Sequence, residues 1–144
     1  MKLPDVNLLV YAANESAARH APAHAWIEET LSGRETVAFA WPVMIGFVRV
    51  ITNPRVLQQP WDAEQALTVV EGWLAQPSVT VVHPTSRHPA VLRDLLLPLG
   101  TAGNLTSDAH LAALAIEHGG TLCSCDNDFS RFPGLRWVDP LGVD

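Results

Sequence analysis

The chain has 144 residues, enough for one domain with a sizeable core, and a hydrophobic fraction of 48% excludes a disordered chain. A net charge of −6 argues against a broad basic footprint for nucleic acid. A charged fraction of 17%, against about 25% in typical domains, points to a surface partly covered by another chain.

Residues 3–13 read as a short strand running directly into a helix, with Asp5 near the joint. Residues 24–31 carry Trp26, Ile27 and Leu31 at helical spacing, with Gly33 as the stop. Residues 37–41 read as a strand. Pro42 then suits the first turn of a helix, where its missing N–H costs nothing; that helix continues through Met44, Phe47, Val48 and Ile51 until Asn53-Pro54. Asp62 is an N-cap for a helix bearing Ala66, Leu67, Val70 and Leu74. Residues 79–82 form a β-branched strand, and residues 89–97 a helix closed by Pro98 and Gly100. Residues 106–118 are the best-defined helix, with a capping hydroxyl at Thr106 and Gly119-Gly120 at its end. Strands follow at 122–124 and 136–138. The alternation predicts one α/β domain over residues 1–144, a central parallel sheet flanked by helices, with ligands gathered beyond the carboxyl ends of the strands.

Cys123 and Cys125 form neither a C-x-x-C nor a zinc pattern and read as small core residues in a reducing compartment. The start lacks the apolar region of a signal peptide, and the apolar stretch 37–51 is interrupted by Pro42, Gly46 and Arg49. These features lead us to expect a cytoplasmic protein with no membrane segment.

Four aspartates stand where strands or turns meet helices: Asp5, Asp108, and the pair Asp126 and Asp128. Two carboxylates about 4 Å apart repel by about 4 kcal/mol at an effective dielectric near 20, and a divalent cation removes that cost. All-oxygen ligands suit Mg²⁺ or Mn²⁺. Each acid also has a plainer reading: Asp108 as a first-turn acid favoured by the helix dipole, Asp5 as a cap, Asp126 and Asp128 as turn formers. Asp108 begins the apolar stripe of Leu111, Ala112 and Ala115, whereas the helical twist points His110 away from that face. His20 and His24 have Pro22 between them and read as surface residues. No G-x-S-x-G, P-loop or G-x-G-x-x-G pattern is present.

The segments D-V-N-L-L-V-Y-A, G-F-V-R-V-I-T-N-P-R-V, D-A-H-L-A-A-L-A-I-E-H-G and T-L-C-S-C-D-N-D-F-S-R-F, in this order over essentially the whole chain, closely resemble the PIN-domain toxins of the VapC type. The resemblance implies a small metal-dependent endoribonuclease of the PIN-like fold using Mg²⁺ or Mn²⁺, a homodimer, and a cognate VapB-type antitoxin. It carries metal ligands onto Asp5 and Asp108, with Asp126 completing the acidic cluster and Asp128 nearby, and places Asn7 and Ser124 as polar residues beside them. One departure stands out: Gly46 occupies the neighbourhood in which many members hold a glutamate, which leaves open whether the site takes one metal or two.

The resulting expectation is hydrolysis of RNA phosphodiester bonds. Asp5, Asp108 and Asp126 serve as the catalytic acids, and Arg49, Arg55 and also Arg131 are candidates for phosphate contact, arginine being the better bidentate phosphate ligand. Two alternatives stand beside it: a catalytically weakened PIN-fold domain that binds RNA or protein, prompted by Gly46, and a metal hydrolase of small phosphates.

Overall fold

The computed structural model describes residues 1–100 and 102–142. Its elements run β1 (Lys2–Pro4), α1 (Val6–Ala13), α2 (His20–Ser32), β2 (Val37–Phe39), α3 (Trp41–Ile51), α4 (Ala63–Leu74), β3 (Val79–Val81), α5 (His88–Leu96), α6 (Thr106–Glu117), β4 (Thr121–Cys123) and β5 (Trp137–Val138). The strands form one sheet in the order β3-β2-β1-β4-β5, every neighbouring pair parallel. This is the expected α/β architecture.

The sheet is buried on both sides. Val37, Ala38 and Phe39 alternate between its faces, yet none is more than 1% exposed, so helices cover both. Phe39 stacks on Trp73 of α4 at 5.5 Å, and Phe47 of α3 meets the same indole edge-on at 4.7 Å. Such pairs contribute about 0.5–1.5 kcal/mol beyond their area. Asp62 and Gln65 close a capping box at the start of α4.

Local chemistry explains two departures from the sequence expectation. Helix α2 starts at His20 rather than near 24, because Pro22 sits in its first turn, where no donor is needed. Thr106 does not cap α6: its hydroxyl donates to the Gly103 carbonyl at 2.9 Å, and the helix grows out of a 3-10 turn at Gly103–Leu105. Trp26 of α2 is half-buried and Ile27 is in the core, whereas Trp41 and Ile45 of α3 and Leu67 of α4 are exposed, as are Val56, Leu97 and Val138. Cys123 is buried and Cys125 half-buried, both free, with burial pushing each thiol up to about 11. No helix among the described residues is long and apolar enough to cross a membrane.

Candidate active site

From β1 the chain builds outward through β2 and β3, then returns to add β4 on the other side of β1. Such a reversal opens a crevice at the carboxyl ends of the two central strands. Asp5 follows β1 directly, and its N–H donates to the Cys123 carbonyl of β4 at 2.9 Å. Ser124 follows β4. Gly119, with φ +67°, ends α6, and a Cβ on Gly120 would stand 2.4 Å from Leu3 Cδ1, so only glycine lets the chain turn this tightly from α6 into β4.

Ser124 is fully buried and acts as the hub of the crevice. Its hydroxyl donates to Asp5 Oδ2 at 2.7 Å and accepts from Asn7 Nδ2 at 3.2 Å and from the Asp126 N–H at 3.0 Å. Asn7 Oδ1 accepts from the Cys125 N–H at 3.4 Å. Asp5 Oδ1 accepts from the Val6 N–H at 2.7 Å, and Asp126 Oδ1 from the Asp128 N–H at 2.9 Å. The residues expected to be supporting polar groups thus tie the β1 and β4 loops together. Asp5 and Asp126 also perform the capping and turn roles that competed with function in the sequence.

Asp108, in the first turn of α6, completes the arrangement. One carboxylate oxygen each from Asp108, Asp126 and Asp128 lies within 4.8 Å of the others. Asp5 lines the same cleft as Asp108, a cavity of about 450 Å³. Burial, then the charges of Asp126, Asp5 and Asp128, pushes the Asp108 carboxyl up to about 6. Burial also raises Asp5, partly offset by the hydrogen bonds from Ser124 and Val6, with Asp126 adding repulsion. The four acids therefore share one electrostatic environment. The donor set contains oxygen only, without sulfur or imidazole, which fits a hard divalent cation such as Mg²⁺ or Mn²⁺.

Of the arginines expected near phosphate, Arg49 lines the cleft, and Arg131 Nε lies 3.4 Å from Asp128 Oδ1. Arg55 is on an exposed turn after α3 and is not among the cleft-lining residues. Gly46 does line the cleft, but a Cβ there would stand 2.9 Å from Val6 Cγ2. The glycine thus serves the close approach of α3 to α1. β-branched Val6 is stiff at χ1, so a side chain at position 46 would crowd it.

His110 departs from the expectation that the helical twist turns it away from the acids. It lines the cleft with Ser107, Asp108 and Leu111, since the cleft wraps around the N-terminal turn of α6 rather than following one stripe. Its Nδ1 is 2.9 Å from His88 Nε2, and His88 Nδ1 is bonded to Glu117 Oε2. Burial, with His88 as a smaller cause, holds the His110 pKa below its ordinary value, while Glu117 pulls the other way. Burial would raise Glu117, yet hydrogen bonds from Thr85 and His88 leave its pKa below the usual carboxylate value. A readable signal existed: positions 110 and 117 are seven apart on one helix and share a face.

Residues 2–135 match the family model of the PIN domain. The chain is 45% identical over 140 residues to Ribonuclease VapC37 of Mycobacterium tuberculosis, covering 97% of each, and 41% identical over 141 residues to Ribonuclease VapC33 of the same organism, covering 98% of this chain and 99% of that one. Among solved structures it resembles a chain of VapBC2 from Rickettsia felis, bound to a DNA fragment from the promoter. That match has a TM-score of 0.69 at 20% identity, covering 95% and 96% of the two chains, and is a likeness of fold.

Proposed function

The chain belongs to the PIN domain family, and from that premise we propose that it is a Mg²⁺- or Mn²⁺-dependent endoribonuclease, the toxin of a toxin–antitoxin pair, acting in the cytoplasm. The observation that supports this most directly is the meeting of Asp108, Asp126 and Asp128 within 4.8 Å, beside Asp5, at the carboxyl ends of β1 and β4. Relatives at 41–45% identity that carry the name ribonuclease favour an active enzyme over a weakened binding domain.

Asp5, Asp108, Asp126 and Asp128 would hold the cation, directly or through water. When bound, the ion supplies a water of lowered pKa and neutralises charge on the scissile phosphate. The chain's own residues do the rest. Ser124 and Asn7 fix Asp5 against the Asp126 loop, so that the acids stay in place despite their repulsion. Asp126 helps to orient the attacking water. Arg49 and Arg131 meet phosphates of the strand, in line with direct arginine–phosphate pairing.

The exposed Trp41, Ile45 and Leu67 line an apolar groove between α3 and α4, a surface suited to cover by a VapB-type antitoxin or a second copy of the chain. We expect a homodimer in solution and silencing by the cognate antitoxin. Incubation of RNA with the protein, with and without Mn²⁺ and beside Asp5→Asn, tests the central claim. RNA left intact under every divalent ion, or cleaved equally by the variant, would refute it.

A further inference from the structure

The polar chain behind the cleft has no part in holding a cation. Glu117, whose side chain is fully buried, accepts at Oε1 from the Thr85 N–H at 2.9 Å and the Thr85 hydroxyl at 2.6 Å, while Oε2 meets His88 Nδ1. His88 stands edge-on to His110, ring centres 4.8 Å apart, with Nε2 on His110 Nδ1. His110 lies outside the trio of acids but lines the cleft that Asp5 and Asp108 share. Stability alone does not call for such a chain, because apolar residues of similar volume often serve as well as a buried ionic cluster.

Hydrogen-bond direction follows from the carboxylate. Glu117 can only accept, so His88 Nδ1 carries the proton and, in a neutral ring, its Nε2 is bare. His110 then donates from Nδ1, and in a neutral ring this leaves its own Nε2, the nitrogen not engaged by His88, bare. A bare nitrogen repels phosphate oxygens, which are acceptors as well. It fits a hydroxyl donor.

We propose that His110 reads the sugar of the bound strand, its Nε2 accepting a hydrogen bond from a ribose 2′-hydroxyl in the cleft, with His88 and Glu117 as positioning residues that fix its tautomer. This rests on the ribonuclease reading and adds the group by which the site tells RNA from DNA, since the 2′-hydroxyl is the atom that differs.

The test is cleavage kinetics with Mn²⁺ on a single-stranded RNA oligonucleotide that the unmodified protein cuts, and on analogues with single 2′-deoxy substitutions around the cut. One deoxy position should lower kcat/KM about tenfold, the worth of one hydrogen bond. His110→Ala should lose the same factor on all-ribose RNA and nothing further on that deoxy analogue. His88→Phe should show a smaller loss of the same kind and add nothing to His110→Ala. Long-range ¹⁵N–¹H NMR of the unmodified protein should show His110 protonated at Nδ1, a readout that does not depend on any variant folding. Equal losses on ribose and deoxy substrates, no loss at all, or a proton on Nε2 overturns the proposal while leaving the ribonuclease reading intact. Absence of cleavage by the unmodified protein overturns both.

Discussion

Asp108 and Glu117 sit on one helix, about two and a half turns apart, and their surroundings are opposite. Glu117 is buried, accepts from Thr85 and His88, and has its pKa lowered in spite of burial. Asp108 is half-buried, accepts no hydrogen bond among the described residues, and is pushed up to about 6 by burial and three other aspartates. One carboxylate is completed by the fold. The other is left waiting for something the fold does not supply. A helix that can satisfy one acid and leaves the other bare separates the groups that hold the structure from those that act on a ligand.

The sharpest way to break this contrast is to neutralise each acid in turn. Asp108→Asn should lower Mn²⁺-dependent RNA cleavage by about 100-fold or more, since even supporting groups around a metal are worth about 10–100-fold. The metal-free fold should be at least as stable as before. Glu117→Leu should do the reverse, costing about 3 kcal/mol of stability by stranding the Thr85 and His88 donors. Cleavage of all-ribose RNA by the folded fraction should stay within about tenfold, the worth of the hydrogen bond that Glu117 positions. Denaturant melts beside cleavage assays check both, and a large stability loss in Asp108→Asn would erase the distinction.

The pH dependence sharpens it further. The folded pKa of Asp108 is raised to about 6 from 3.8, so its contribution is stabilising below the unfolded value and is lost as pH rises through about 6. Metal-free protein should therefore lose stability relative to Asp108→Asn between pH 4 and 6, and Mn²⁺ should restore it above that range. Glu117 has the opposite sign: its pKa is lowered, so its contribution is present above the unfolded carboxylate value and lost as pH falls through the folded one. Melting temperatures of the unmodified protein and Asp108→Asn across pH 4–8 decide for Asp108, and parallel curves would contradict that assignment.

The sequence carried the sheet and the acids for the same reason: both depend on local signals. Short β-branched runs, caps and strand-to-helix junctions announce themselves, and Asp5, Asp108 and Asp126 stand at such junctions. What stayed hidden depends on contacts between distant segments. His88 meets His110 and Glu117 only because α5 packs on α6. Gly46 looked like a missing ligand because nothing local reveals Val6 beneath it. Asp128 was legible as a candidate ligand near the other acids, but not the turn that carries it there, in which the Asp126 carboxylate accepts from the Asp128 N–H.

A smaller effect is expected at Gly46. Alanine in place of a helical glycine gains about 0.5–1 kcal/mol, but crowding a packed contact costs about 1–3 kcal/mol, and Val6 Cγ2 at 2.9 Å is such a contact. Gly46→Ala should therefore lose about 1 kcal/mol, and Gly46→Glu should gain no metal affinity unless Val6 is trimmed. Combining Gly46→Ala with Val6→Ala should cost less than the sum of the two single changes. Simple additivity in denaturant melts would show that α1 and α3 can separate freely at this point.

The smallest effect on stability should come from Arg131, where the contrast between finished and unfinished acids meets the surface. Its Nε lies 3.4 Å from Asp128 Oδ1, both side chains about half exposed, and such pairs are worth about 0–1 kcal/mol. Arg131→Ala should move the melting temperature very little. Its signature should appear in binding, with two opposite signs. Removing a cation from the acid cluster frees Asp128 and deepens the local negative potential, so Mn²⁺ should bind somewhat more tightly. Removing a partner for phosphate should weaken RNA binding and flatten its dependence on salt. Titration calorimetry with Mn²⁺ and RNA binding at two ionic strengths measure the pair. Weaker binding of both would mean that Arg131 props up the Asp126–Asp128 turn, as Ser124 does from below, and belongs with the finished side of the molecule.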